Sequence, residues 1–127
     1  MKEIIAIIRR HKLEETKSAL LGQGYSAMTM VSVDGRGKQK GIGGIACELD
    51  PALFDLEDQS MLNATTLNFI PKRLISLTVE EKCVEKVVQT IIKVNQSGYI
   101  GDGKIFVCPV EEVVRIRTDE RGDQALL

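Results

Sequence analysis

The sequence contains no tryptophan, and only 4% of its 127 residues are aromatic. Domains that bind single-stranded RNA on an open sheet stack the bases on exposed aromatic side chains, so this scarcity argues against that class of protein. Neither sign of charge dominates, because 17 Lys and Arg residues against 18 Asp and Glu residues leave a net charge of -1. A positive field over the whole molecule, which would hold DNA or RNA without sequence preference, is therefore excluded.

Long apolar runs and paired cysteines are missing as well. The longest runs, such as Ile4 to Ile8, are far shorter than the roughly 20 residues of a membrane-spanning helix. No signal peptide is recognisable, so we expect a cytoplasmic protein without membrane insertion. The three cysteines form no Cys-x-x-Cys pair and are expected to be reduced thiols: Cys47, Cys83 and Cys108. The single histidine, His11, has no cysteine beside it with which to build a zinc site.

Hydrophobic patterns predict an alternation of strands and helices within one domain, residues 1–127. Strands are expected over residues 4–8, 27–33, 73–79 and 104–108, with a first helix over 13–21. A second helix is predicted from a stripe of apolar residues at Val84, Val87, Val88 and Ile91. The order βαββαβ predicts an α+β fold of the ferredoxin-like type, a sandwich in which an antiparallel sheet carries both helices on one face.

Two segments lie outside this pattern. Residues 35–71 have no periodicity and are rich in glycine at their start, and a loop of this length in a small domain is more often functional than idle. A short helix is expected around residues 51–62, with Asp50 as its N-cap. The tail beyond residue 110 is expected to depend on a neighbouring subunit for support.

The segment from Gly35 to Gly41 combines glycines with basic side chains directly after a predicted strand. Glycines allow backbone N–H groups to turn toward a ligand, and Arg36, Lys38 and Lys40 supply positive charge, which suits phosphate. The segment is not a Rossmann fingerprint, because Lys40 occupies the third glycine position and no helix follows. A loop with solvated charges remains the alternative interpretation.

A second glycine-rich segment runs from Gly98 to Lys104. It fits the Walker A spacing until Ile105, which cannot ligate Mg²⁺, so that match is false. Arg115 and Arg117 are two residues apart and would project on one side of an extended tail, where they could clamp a polyphosphate. The basic run from Arg9 to Lys12 is expected to be a solvated charge cluster.

No nucleophile with an adjacent base is identifiable in this chain. The glycine-rich and basic segments therefore favour a nucleotide sensor, a regulatory binding protein and not an enzyme. A small ATP-dependent phosphotransferase or ATPase on a ferredoxin-like fold is the alternative, because the fold alone does not determine the function.

Several of these segments resemble the PII nitrogen-regulatory signal-transduction proteins. The resemblance covers nearly the whole chain outside residues 42–69 and rests on these segments: 4–13, Met28-Thr29, 35–41, Pro71-Lys72, 97–107 and 109–118. It implies a trimer that binds ATP or ADP between its subunits and senses 2-oxoglutarate. It also implies a protruding T-loop that grips target proteins, here residues 36–71, and a C-terminal tail over residues 110–127.

The resemblance also implies which residues bind the ligands. ATP or ADP would be held within one subunit by Thr29, Gly35, Gly37, Lys38, Gln39, Gly101, Gly103 and Lys104. The adjacent subunit would supply Arg115 and Arg117 to the phosphates. 2-Oxoglutarate would contact Gln39, Gly41 and Lys72, and Gln39 would coordinate the Mg²⁺ that accompanies ATP.

The chain departs from the usual PII pattern in its loop. Residues 42–70 are longer than the usual T-loop and contain no tyrosine, so regulation by tyrosine uridylylation is not expected. Longer loops are similar to those of PII variants associated with nitrogenase, which often form mixed complexes of two related chains. The expected assembly is a homotrimer or such a mixed complex, and nitrogenase is a candidate target.

Overall fold

The computed structural model describes residues 1–37 and 69–126 of the chain. These residues form six regular elements: β1 (Lys2–Arg9), α1 (Leu13–Gly22), β2 (Thr29–Gly35), β3 (Ile70–Val79), α2 (Val84–Asn95) and β4 (Lys104–Pro109). A single 3₁₀ turn leads into each helix, and another lies in the tail at Gly122–Ala125. The predicted βαββαβ order is confirmed.

The four strands form one antiparallel sheet in the order β2-β3-β1-β4. β1 is central and pairs with β3 along its whole length, from Lys2 opposite Val79 to Arg9 opposite Lys72. On its other side β1 pairs with β4, with Ile7 opposite Lys104 at the last pair. The predicted ferredoxin-like fold is thereby confirmed, and the register places the start of β4 beside the end of β1.

The core lies between one face of the sheet and the two helices. Alternate residues of β1 and β3 point to this face because side chains alternate along a strand. The buried cluster consists of Ile4, Ala6, Ile8, Leu20, Ile75, Leu77, Val79, Val87 and Ile91. Since Leu20 belongs to α1, and Val87 and Ile91 to α2, both helices cover the same face. The predicted stripe of α2 is confirmed, with Val84 and Val88 packed at the edge of the cluster.

Two strand boundaries differ from the prediction. β2 begins and ends two residues later than expected, and β3 begins at Ile70 and not at Arg73, so that Pro71 lies inside the strand. Pro71 pairs with Asp34 of β2 and lies beyond the last residue of β3 that pairs with β1. Its missing N–H therefore interrupts no hydrogen bond to β1. The expected helix over residues 51–62 lies outside the described residues.

The tail folds back on itself, so the expectation of an extended tail is wrong. Val114 bridges to Arg121, and the backbone N–H of Arg115 donates to the carbonyl of Glu120 at 2.9 Å. The chain reverses through Asp119, whose φ of 58° is in the left-handed region that aspartate tolerates better than most residues. Arg115 and Arg117 consequently lie at a tight turn, where the alternation of an extended chain does not apply.

Cys83 and Cys108 are free thiols, as expected, whereas Cys47 lies outside the described residues. Neither helix in the described part of the chain combines the length and the hydropathy that a membrane span requires.

The second face of the sheet is turned away from the helices and carries a row of apolar side chains. The register places Ile5, Ile7, Val31, Leu74 and Phe106 on this open face. Val31 and Phe106 are each 46% exposed within the single chain. An apolar face of this kind is typical of a surface that another polypeptide covers.

Candidate functional site

A cavity of about 610 Å³ opens at one end of the open face. It lies where β1 and β2 end and where β3 and β4 begin, so all four strands and their flanking turns contribute to it. Its lining residues are Ile7, Gly35, Arg36, Gly37, Lys72, Ile100, Gly101, Gly103, Lys104 and Phe106. The volume is within the range of roughly 300–1,000 Å³ that small-molecule sites occupy.

The charge of the cavity has one sign. Three of its lining residues are cations, Arg36, Lys72 and Lys104, and none of the described lining residues is acidic. Three nearby cations in a concave site concentrate positive potential there. The arrangement therefore favours an anionic ligand, and the glycines beside the cations leave the backbone N–H groups accessible to it.

Gly103 lies where the turn before β4 presses against β1. Its φ is +107°, and a Cβ atom built on it would lie 1.8 Å from the carbonyl oxygen of Ile7. No side chain fits there, since the obstructing atoms belong to the backbone of the central strand. Gly101, two residues earlier, also has a positive φ of 103°. The turn thus needs glycine for its shape and for its close approach to β1.

Lys72 connects β3 to the same turn. Its side chain is only 6% exposed, and its Nζ donates a hydrogen bond to the carbonyl of Gly101 at 2.8 Å. A buried ammonium group needs such partners, because burial without hydrogen bonds is costly. Lys72 therefore holds the glycine turn against the sheet and also lines the cavity.

Asp102 organises the start of the turn. Its carboxylate accepts hydrogen bonds from the backbone N–H groups of Ser97 at 2.8 Å and Gly98 at 2.9 Å, and from the Ser97 hydroxyl. Burial by itself raises the pKa of Asp102. The hydrogen bonds from Ser97, Arg9 and the two backbone N–H groups outweigh burial, so the pKa lies below its ordinary value.

Arg9 is buried, which corrects the expectation of a solvated charge cluster. Its side chain forms an ion pair with Asp102 and donates to the carbonyl of Ile100 at 2.9 Å. Arg9 is 2% exposed, in contrast to the exposed His11 two residues later. The local sequence gave no signal for this burial, because the partners of Arg9 lie about ninety residues away at the glycine turn.

The structure brings together six of the residues that the resemblance had pointed to. Gly35, Gly37, Lys72, Gly101, Gly103 and Lys104 all line the cavity. Sequence reasoning had not assigned a ligand-facing position to Ile7, Ile100 or Phe106, although strand alternation places Ile7 on the open face. Lys38, Gln39 and Gly41 lie outside the described residues, and so does any Mg²⁺ contact through Gln39.

Thr29 is not part of this cavity. It begins β2, and Gly35 ends it, so the two residues are about 20 Å apart along an extended strand. Thr29 instead lines a separate depression of about 400 Å³ together with Val113 and Leu126 of the tail. Thr29 and the glycine turn therefore line separate depressions of this chain.

The two tail arginines differ in their surroundings. Arg115 forms an ion pair with Glu120 and donates to the carbonyl of Gln124 at 3.2 Å. Arg117 has no hydrogen-bond or ion-pair partner within residues 1–37 and 69–126, and its neighbour Ile116 is 99% exposed. Neither arginine lines the cavity of its own chain.

The whole chain matches known proteins of one kind. The family model described as nitrogen regulatory protein P-II matches residues 1–120. A Methanococcus maripaludis relative, "Nitrogen fixation nifHD region glnB-like protein 2", is 48% identical over 127 residues, covering 99% of this chain and 100% of the relative. "Nitrogen regulatory protein P-II 2" of Methanothermobacter thermautotrophicus is 44% identical over 126 residues, covering 99% and 97%.

A solved structure agrees with the sequence matches. The crystal structure of Arabidopsis thaliana PII bound to citrate has a TM-score of 0.71 to this chain at 32% sequence identity. The match covers 98% of this chain and 88% of the plant chain.

Proposed function

The chain belongs to the P-II family of nitrogen regulatory proteins, and from that premise we propose that it binds ATP or ADP in the cavity at the end of the sheet. Members of this family are signal-transduction proteins that bind these nucleotides and 2-oxoglutarate. One observation carries the proposal: the cavity combines three cations, no described acidic residue and a glycine turn. That combination is suited to a polyphosphate.

The proposed phosphate contacts come from two sides of the cavity. Lys104 and the backbone of Gly101 and Gly103 contribute from the turn before β4, and Arg36 contributes from the end of β2. Each charge-assisted hydrogen bond to a phosphate contributes about 1.5–3 kcal/mol to binding. The chemistry of these donors fits a di- or triphosphate.

We propose a trimer in which a neighbouring subunit completes each site, as a homotrimer or as a mixed assembly with a related PII chain. Two observations support it: the open face of the sheet is apolar and partly exposed, and Thr29 lies with the tail at the far end from the cavity. Packing between copies would cover the open face and bring Thr29, Arg115 and Arg117 of one chain to the cavity of the next. The exposed side chain of Ile116 suits burial in such a contact.

The proposed effector is 2-oxoglutarate, bound with Mg²⁺ and ATP. Lys72 would pair with one of its carboxylates, with Gln39 and Gly41 completing the contacts. Mg²⁺ supplies a bridge between the phosphates and the 2-oxo acid, and Gln39 would be its ligand from the protein. The effector should therefore bind tightly with Mg²⁺-ATP and weakly with ADP.

The proposed output is the grip of the T-loop on a target protein that controls nitrogen metabolism. Gly35 and Ile70, which flank the loop, are paired across β2 and β3, and Gly35 lines the cavity. A ligand in the cavity thus contacts the base of the loop and can shift its conformational ensemble. The relatives named for the nifHD region support nitrogenase as the target.

Calorimetry with ATP and ADP tests the binding proposal. Lys104→Ala should weaken ATP binding at least tenfold, which corresponds to about 1.4 kcal/mol. Lys93→Ala is the matched control, because Lys93 is exposed on α2 and lies outside the cavity. Equal ATP affinity of wild type and Lys104→Ala would refute the site.

Two further measurements separate the proposed sensor from an enzyme and test the effector. Titration of 2-oxoglutarate should show tight binding only with Mg²⁺-ATP, and equal affinity with ATP, with ADP and without nucleotide would refute the effector mechanism. By linkage, 2-oxoglutarate should raise the affinity for ATP by the same factor by which ATP raises the affinity for 2-oxoglutarate. Multiple-turnover ATP hydrolysis at roughly 1 to 10³ per second would instead identify an enzyme.

A further inference from the structure

Arg9 connects the central strand to the glycine turn by contacts to three residues. Its guanidinium group pairs with the carboxylate of Asp102, donates to the Ile100 carbonyl at 2.9 Å and lies 3.5 Å from the Ser97 hydroxyl. A planar guanidinium can make these contacts together, whereas the single ammonium of a lysine cannot reproduce their geometry. Arg9 thus holds both ends of the segment that precedes Gly103.

Three successive residues of the turn are anchored to the sheet. Arg9 of β1 holds Ile100 and Asp102, and Lys72 of β3 holds the carbonyl of Gly101 between them. Arg9 and Lys72 are opposite each other in the β1–β3 register. The position of the turn therefore depends on two adjacent buried cations at the end of the sheet.

The charge of Asp102 matters for an anionic ligand. Asp102 lies in the chain between Gly101 and Gly103, both of which line the cavity. Its pKa is below its ordinary value, so the group is a carboxylate at neutral pH. A carboxylate beside a phosphate site repels the ligand, and in a partly buried position water screens that repulsion poorly. The ion pair with Arg9 neutralises this charge.

We propose that Arg9 is a positioning residue for the phosphate-binding turn, and that it also compensates the charge of Asp102 so that the cavity stays positive. The inference rests on the proposed nucleotide site. Arg9 does not line the cavity and acts through Asp102 and Ile100. Its contribution should grow with the charge of the ligand, which a purely structural role would not produce.

The experiment measures the dissociation constants of AMP, ADP and ATP for the full chain, and uses the ratio of the AMP constant to the ATP constant as the readout. Arg9→Met should lower this ratio about tenfold, because the exposed charge of Asp102 penalises the triphosphate most. Arg9→Lys, which retains the charge, should keep the ratio within about threefold of wild type. The double variant Arg9→Met, Asp102→Asn should restore it to the same range.

Arg73→Met is the matched control. It removes an arginine of the next strand that donates to the Lys72 carbonyl at 3.0 Å and does not line the cavity. It should leave the ratio unchanged. Urea unfolding of each variant, monitored by circular dichroism, reports separately on the stability of the fold.

Distinct outcomes overturn the inference and the proposed function. A wild-type protein that binds no nucleotide refutes the function. A wild type that binds ATP, with Arg9→Met unchanged or weakened equally for AMP and ATP, overturns the role of Arg9 and leaves the site intact. If Arg9→Met does not fold, Asp102→Asn decides: it leaves Arg9 without its counter-charge and should raise the ratio about threefold or more, and an unchanged or lower ratio overturns the inference.

Discussion

Replacing Gly103 by alanine should destabilise the protein strongly, although it adds a single methyl group. The new Cβ would lie 1.8 Å from the Ile7 carbonyl oxygen, 2.9 Å from the Ile7 carbonyl carbon and 3.4 Å from the Ile8 Cα. All three atoms belong to the backbone of β1, the central strand of the sheet. They cannot move aside as the end of a flexible side chain would, so the turn must move away from β1 instead.

The magnitude has two components. A non-glycine residue at a φ of +107° costs about 1–3 kcal/mol in backbone strain. Relief of the clash requires a displacement of about 1.5 Å, since carbon and oxygen normally approach no closer than about 3.3 Å. Overpacking of this kind typically adds about 1–3 kcal/mol. The sum, about 2–6 kcal/mol, is a large share of the roughly 5–15 kcal/mol by which domains are stable.

Gly98→Ala separates the two components. Gly98 lies in the same turn and has a φ of +88°, but a Cβ atom there would meet nothing within 4 Å. The free energy of unfolding of Gly98→Ala should therefore fall only by the cost of the backbone strain. The difference between the two variants is the cost of the clash, about 1–3 kcal/mol.

Urea unfolding followed by circular dichroism gives the free energy of unfolding of both variants. All proteins must be measured at one protomer concentration, because assembly contributes to apparent stability. If Gly103→Ala loses no more stability than Gly98→Ala, the contact with Ile7 is not a rigid one, and the reasoning from the close approach fails.

Three further predictions follow from other contacts. Hydrogen bonds hold the pKa of Asp102 below its ordinary value of 3.8, so the stabilisation by its carboxylate is complete above pH 3.8 and is lost as the pH falls toward the lowered pKa. Urea unfolding between pH 6 and pH 3 should therefore show a smaller loss of unfolding free energy in Asp102→Asn than in wild type, and equal losses would refute this linkage. Val31→Glu places a charge on the open face and should shift sedimentation from the proposed trimer to monomer, whereas an unchanged assembly would show that this face is not the interface. The Asn95 amide donates both to the Thr16 hydroxyl and to the Ile91 carbonyl, each at 2.9 Å in the core, and Thr16→Val removes the first of these acceptors. It should lower the free energy of unfolding by about 1–3 kcal/mol, and a loss below about 0.5 kcal/mol, the scatter for neutral substitutions, would contradict this.

Local patterns were sufficient to predict the framework of the fold. The apolar spacing of α2 and the β-branched run of β1 each reflect a periodicity that the nearby sequence carries by itself. The boundaries of β2 and β3 were less certain, because pairing extends a strand as far as its neighbour allows. Pro71 illustrates this point: it lies in β3 because only β2 is opposite it there.

The candidate site could be predicted in part, and the features that were missed have different causes. The glycine turn can be recognised in the sequence from its glycines, whereas the burial of Arg9 depends on Asp102, which is distant in the chain. The separation of Thr29 from Gly35 follows from the direction of one strand, which motif matching ignores. The hairpin of the tail did carry a local signal, since Asp119 and Gly122 are residues that favour turns.

The pairing of Gly35 with Ile70 has a consequence for how this protein can evolve. Because the two ends of the intervening segment are paired in the sheet, the segment between them is a loop that is closed at its base. The entropy of closing a loop grows only with the logarithm of its length, and a doubling costs about 0.6 kcal/mol. Mutation can therefore lengthen, shorten or rewrite residues 42–69 at small cost to the domain, while Gly35, Arg36 and Gly37 continue to line the cavity at the junction.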